Sequence, residues 1–337
     1  MLEQALLFII FTVAIGFGFS NGLNDAANAV AAAIGSRAIS PTVAIIIAAF
    51  GNLLGAIHGA ILGAAVAKTI GKGILTTEAV TGDYGYSIVI GAVVAAILWV
   101  VAASYHGLPV SVSHSLIAGL VGAGFATGSE IGWVKFEKTL AAVACAPVLG
   151  FFFAFLLMLL LLWLLQKAAP GRANRFLAWL QYPTTGFLAY AHGNNDGQMP
   201  IALMVMAFVL YYEDASYWDS IPWGIVVTAA ASISLGTAIG GWRVIKTVGM
   251  KLTRLDPASG FVSNMSAGGV IELASHFGIP VSTTHCSVAS VMGAGATSRL
   301  SAVRWGITGN IITAWILTFP ICIGLGWILT LLLKNIL

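Results

Sequence analysis

Asp25 and Asp196 are the residues of this chain best placed to do chemistry. Each lies in a strongly apolar stretch with an Asn before it, in Gly22-Leu23-Asn24-Asp25-Ala26 and Gly193-Asn194-Asn195-Asp196-Gly197. A carboxylate isolated in apolar surroundings is costly unless it takes up a proton or gathers a cation. Asn24, Asp25 and Asn28, with Asn195, Asp196 and Gln198, offer hard oxygen ligands of the kind that suit Na⁺ or a proton relay. Asp25 and Asp196 are the expected Na⁺ ligands at the centre of this set. Gly22 and Gly193 are expected to let their helices break and so free backbone carbonyls for coordination.

A second pair of polar words carries the complementary chemistry. Gly107-Leu108-Pro109-Val110-Ser111-Val112-Ser113-His114 matches Gly278-Ile279-Pro280-Val281-Ser282-Thr283-Thr284-His285. Gly-x-Pro makes a turn, and the hydroxyls that follow cap the next helix. A helix N-terminus offers free N–H groups and the positive end of a dipole, which together suit an anion. The anion-binding candidates are Ser111, Val112 and Ser113 in one hairpin and Ser282, Thr283 and Thr284 in the other. Every Lys and Arg falls in or beside a loop. A bound anion must therefore be held by N–H groups, hydroxyls and co-bound cations, a combination that suits a multivalent oxyanion carried with cations.

Both pairs share one offset, 171 residues, so each half of the chain is one unit with two landmarks. The setting is a membrane. The 337 residues are 59% apolar and 8% charged, with a mean hydropathy of +0.96, whereas soluble domains carry about 25% charged residues. Val43–Val66, Leu140–Leu165, Ile221–Gly240 and Ile307–Leu333 are long enough to span. Continuous apolar runs favour helices over a barrel. Met1–Phe19 lacks a basic start and reads as a mature helix rather than a signal peptide. A net charge of +3 gives no reason to expect nucleic acid.

The expected fold is an all-α polytopic membrane protein of two inverted-topology repeats. Each has transmembrane helices, one interrupted at the Asn-Asp motif, and a re-entrant helical hairpin. The first repeat covers 1–166, a basic cytoplasmic linker 167–175, and the second repeat 176–337. The hairpins are expected at Ser87–Ser104 with Val110–Ala126, and at Ala258–Phe277 with Val281–Thr297. Arg254 and Arg299 flank the second, which places both its ends on one side by the basic-inside rule. With three spans and a hairpin per half, ten of the fifteen Lys and Arg lie inside, from Arg37 to Arg304. Eight of the twelve acids, Glu78 among them, lie outside. Both termini then face outward from the plasma membrane. The first hairpin opens from outside and the second from the cytoplasm.

The remaining polar residues carry less. Cys145, Cys286 and Cys322 have no metal-ligand spacing and read as small hydrophobes. His114 and His285 occupy equivalent positions and read as structural. His58, His106, His192 and His276 give no distinct signal, and the acids are set among amides rather than histidines. Glu272 reads as a hairpin-packing group. No nucleophile–base pair points to an enzyme, and no cofactor is expected. The amide-rich surroundings of the acids favour Na⁺ over H⁺ as the coupling ion.

On these motifs the chain resembles the inorganic phosphate transporter family. Gly22 to Ala29 is similar to that family's first signature and Gly193 to Gln198 to its second. The two hairpin words, Gly241 to Gly249 and Leu255-Asp256-Pro257 are similar as well. The resemblance implies a homodimeric secondary transporter that takes up inorganic phosphate with Na⁺ or H⁺. Asp25 and Asp196 would belong to its cation sites and the hairpin hydroxyls to its phosphate site. The second signature usually continues from Gln into Lys-Thr, where this chain has Met199-Pro200. A sulfate-carrying branch is the alternative within the family. That branch lacks the acid of the first signature, so the presence of Asp25 favours phosphate.

Overall fold

A computed structural model describes residues 1–337, except the side chains of Thr77 and Glu78. Glu78, counted above among the outer acids, therefore lies outside the described residues. Fourteen α-helices follow one another: α1 Leu2–Gly35, α2 Pro41–Ile61, α3 Ala65–Gly73, α4 Thr77–Thr81, α5 Gly85–His106, α6 Val112–Thr127, α7 Trp133–Leu165, α8 Pro170–Asp196, α9 Gln198–Tyr212, α10 Trp223–Ile239, α11 Trp242–Lys246, α12 Pro257–His276, α13 Thr283–Ala296 and α14 Trp305–Leu333. Five of them, α1, α2, α5, α7 and α14, are long and apolar enough to cross a membrane. A sixth joins them if α10 and the segment Trp242–Lys251, bent from it by 57°, count as one span. No strand is present among the described residues beyond the single bridge between Leu75 and Ile131.

The helix ends follow from local chemistry. Pro41 and Pro257 occupy first-turn positions, where their missing N–H costs nothing. Asp256 and Ser259 form a reciprocal capping box at the start of α12. Ser111 accepts the His114 N–H at the start of α6, and Ser282 accepts the His285 N–H at the start of α13. Gly107 and Gly278 sit at φ +70° and +65°, left-handed backbone that glycine adopts without strain. Each turn closes through the same bond, Leu108 N–H to Ala103 C=O and Ile279 N–H to Ala274 C=O. The chain thus doubles back between α5 and α6 and again between α12 and α13.

Helices of one half pack mainly on helices of the other. α1 lies on α10 and α2 on α8; α6 lies on α14 and α7 on α13. Glycines make these crossings close. A Cβ on Gly22 would stand 2.0 Å from the Ile233 carbonyl oxygen, and one on Gly193 would stand 2.3 Å from that of Asn52. Gly122 and Gly293 do the same against Ile323 and Phe151, at 2.1 and 2.2 Å.

These contacts correct one expectation. α1 runs unbroken through Gly22–Asp25. α8 gives way to α9 across the single residue Gly197, whose φ of −63° and ψ of −19° keep it in the helical region. Gly22 and Gly193 are there for close approach of a crossing backbone, and their helical hydrogen bonds remain in place. Carbonyls freed by a broken α1 are not part of the design.

Because the neighbour of Gly22 is rigid backbone, Gly22→Ala is expected to destabilise by about 1–3 kcal/mol. A Cβ on Gly269 meets open space, so Gly269→Ala should leave stability unchanged or slightly raised. Thermal unfolding of the purified protein in detergent checks the pair, and equal midpoints would refute the assignment.

Candidate functional site

α1 and α8 bring Asp25 and Asp196 together, both buried with 1% exposure. Between them sits His192, one helical turn before Asp196. Its Nε2 lies 3.3 Å from Asp25 Oδ2 and 3.5 Å from Asp196 Oδ2. One ligand atom from each of the three residues falls within 4.8 Å of the others. His192 Nδ1 lies 2.6 Å from Asn52 Oδ1, while the Asn52 amide nitrogen donates to Thr237 at 2.8 Å. That arrangement assigns the Nδ1 proton to the Asn52 bond. Nε2 is thereby aimed at the acids, as a donor when protonated and as a cation ligand when not.

The second hairpin reaches the same point. The Thr283 hydroxyl lies 3.3 Å from Asp25 Oδ2 and 3.4 Å from Asp196 Oδ2, within reach of either. The Thr284 hydroxyl lies 3.0 Å from both Asp25 Oδ1 and the Val110 carbonyl, and accepts from the Asn28 amide at 3.0 Å. Ser113 donates to the Val281 carbonyl at 3.2 Å. Each hairpin therefore gives a hydroxyl to the other's backbone, at positions 171 apart. Ser111, Ser113 and Ser282 are buried beside these bonds, as is Val112. The His114 and His285 rings meet edge to face at 4.9 Å, and Trp315 stacks on His285 at 3.8 Å.

The other expected cation ligands are placed differently. Asn24 donates to Ser104 at 2.6 Å and Asn195 donates to Ser275 at 2.9 Å, tying each motif to the arm of its own hairpin. Their side-chain oxygens have no hydrogen-bond partner, nor have those of Asn21 and Asn28 or Oδ1 of Asp196. Gln198 is not brought to the acids. Its oxygen accepts the Val66 and Ala67 N–H groups at 2.9 and 3.1 Å, capping α3, and its nitrogen donates to the Asn194 carbonyl. Met199 and Pro200, where the family pattern differs, are fully buried in α9. Glu272 accepts two bonds from the Asn194 amide, at 3.0 and 3.1 Å, in keeping with a packing role.

His192 is the residue the sequence reading passed over, and it overturns the view that the acids sit only among amides. Two signals point to it. It lies four residues before Asp196, on the same helix face, and 171 residues after Asn21, an amide in apolar α1.

Thr284→Val keeps the shape but strands Asp25, Asn28 and the Val110 carbonyl in a buried site. A loss of about 1–3 kcal/mol is expected, with most of it recovered in Thr284→Ser. Thermal unfolding of both variants tests this, and equal midpoints would count against the bonded role of the hydroxyl.

The comparisons with known proteins agree with one another. Residues 21–326 match the model of the Phosphate transporter family. The chain is 40% identical over 258 residues to a "Probable low-affinity inorganic phosphate transporter" of Rhizobium meliloti, covering 75% of each chain. It is 33% identical over 271 residues to a protein of the same name from Bacillus subtilis, covering 80% of each. Its fold matches a solved structure described as "The sodium-dependent phosphate transporter" with a TM-score of 0.88 and 26% identity, over 99% of this chain and all of that one. The family and these relatives are transporters, not enzymes. With its buried acid pair, its two touching hairpins and this agreement across nearly its whole length, the chain belongs to the inorganic phosphate transporter family, and it is a multi-pass membrane protein.

Proposed function

We propose that this protein takes up inorganic phosphate by symport with Na⁺. The observation that carries this reading is the position of Thr283, whose hydroxyl lies between the two acids at the N-terminus of α13. A cation at Asp25 and Asp196 and an anion at the hairpin N-termini would then share a boundary. Each ion offsets the charge of the other, so each favours the other's binding, which is the free-energy coupling that symport requires.

In this reading Asp25 and Asp196 are the cation ligands, with His192 beside them. Asn24, Asn28 and Asn195 supply oxygens that accept no hydrogen bond. Gln198 acts through α3 rather than as a ligand. Ser111, Val112 and Ser113, with Ser282, Thr283 and Thr284, form the phosphate cradle, since paired helix N-termini suit an oxyanion without a buried Arg or Lys. Na⁺ is preferred to H⁺ because several unpartnered oxygens can complete the shell of a desolvated metal ion, whereas a proton needs one carboxylate. The name of the solved relative supports the same choice.

The two halves, 1–166 and 176–337, act as inverted repeats joined by the cytoplasmic linker 167–175, with hairpins entering from opposite sides. Discontinuous segments at a repeat interface are the usual substrate site of such transporters. Both termini lie outside the plasma membrane, and the working unit is a homodimer.

Labelled phosphate uptake into proteoliposomes should respond to an imposed Na⁺ gradient at fixed pH and resist competition by sulfate. Uptake that ignores Na⁺ and follows a pH gradient would reassign the coupling ion, and strong sulfate competition would reassign the substrate. Asp25→Asn and Asp196→Asn should each reduce uptake by more than about tenfold while the protein still folds, the minimum expected from losing a charged partner in a buried site. Undiminished Na⁺-dependent uptake in either variant would remove that acid from the mechanism.

A further inference from the structure

The two halves differ at one place where their packing otherwise corresponds. In the first half α14 closes on α5. The Trp99 indole N–H donates to Thr318 at 2.9 Å, and a Cβ on Gly91 would stand 2.3 Å from Thr330 Oγ1. The matching positions in the second half are Val270 on α12 and Ala146 on α7, in step with the paired contacts of Gly122 and Gly293. Neither can make the interlock. A groove of about 910 Å³ lies between α7 and α12 instead, lined by Val270 and Ala146 and by Phe153, Leu156, Leu273 and Val281.

This groove is apolar except at one end. Lys138 lines it, is exposed, and takes part in none of the ion pairs among the described residues. The α12 lining from Met265 to Phe277 is about 18 Å long at helical rise, roughly half the ~30 Å hydrocarbon core. Val281, at the other wall, directly precedes Ser282, Thr283 and Thr284.

We propose that the groove seats one acyl chain of an anionic phospholipid whose headgroup phosphate pairs with Lys138. The groove has the volume of a ligand site rather than of ordinary surface relief, and its lining accepts hydrocarbon. A lysine stem running along apolar wall with its ammonium at the interface is the arrangement that recognises an anionic headgroup. The chain would brace the second hairpin from behind, next to the residues that carry Thr283 and Thr284. This assignment rests on the membrane reading of the fold and not on the identity of the coupling ion.

Cys145 provides a reporter, since it lines the groove and is exposed while Cys286 and Cys322 are buried. The purified protein, labelled at Cys145 with bimane, is titrated with phosphatidylglycerol or phosphatidylcholine brominated on the acyl chains. Phosphatidylglycerol is expected to quench at about fivefold lower mole fraction, and Lys138→Gln should abolish that preference. Val270→Trp, which restores the residue found at Trp99, should remove lipid retained by the unlabelled protein in native mass spectrometry. Equal quenching by the two lipids, or a preference that survives Lys138→Gln, would overturn the headgroup assignment. Full lipid retention in a folded Val270→Trp protein would overturn the site. So would a dimer that becomes a monomer in Val270→Trp without loss of lipid, because the groove would then seat a second copy of the chain. Na⁺-driven uptake by the unsubstituted protein is measured in parallel, so failure of the lipid site and failure of the transport reading are told apart.

Discussion

Two carboxylates held side by side in an apolar interior are the constraint on which the rest of this structure depends. Like charges at such separations repel strongly where the dielectric is low, and neither acid is near an Arg or Lys. The fold answers with neutral and switchable partners: the His192 imidazole between the acids, and the Thr283 and Thr284 hydroxyls above them. His192 is in turn oriented by Asn52 and Thr237, from two further helices. The arrangement is complete in hydrogen-bond terms on one side and leaves several amide oxygens open on the other, which is the electrostatic profile of a site built for a mobile cation.

Placing the acids that close requires helices from different halves to cross almost in contact. Glycines at the crossings make this possible, and they recur at matched positions because each half faces the same packing problem. The motif Gly241 to Gly249 shows the same economy. Gly249 and Gly35 each pass within a methyl group's distance of the other helix's backbone, against Ala31 and Gly249 respectively. Small residues do here what a hydrophobic driving force cannot do between helices surrounded by lipid.

Much of this was legible in the sequence, and the reason is physical. A polar residue in an apolar run is costly, so the repeated Asn-Asp and Gly-x-Pro words could not be incidental, and their common offset announced that each half was one unit. The hairpin turns and helix caps followed from residue chemistry and appear where expected. What remained hidden depended on tertiary contacts. Gln198 carries the same amide as its neighbours, yet its oxygen is consumed by the N-terminus of α3. Gly22 signals equally a broken helix and a close crossing, and only the position of Ile233 decides between them. His192 looked ordinary because a histidine declares nothing until its two nitrogens have partners.

The exchange of hydroxyl-to-carbonyl bonds between the hairpins, Ser113 to Val281 and Thr284 to Val110, makes them a single thermodynamic element. Displacing either hairpin forfeits both bonds at once, so neither has a private stability of its own. Free-energy changes measured at the two positions are then not independent quantities, and their sum overstates the effect of the pair. A residue in one half is selected partly for the backbone it meets in the other. The two halves of this gene are thereby bound to evolve in step at these positions, although 171 residues of chain separate them.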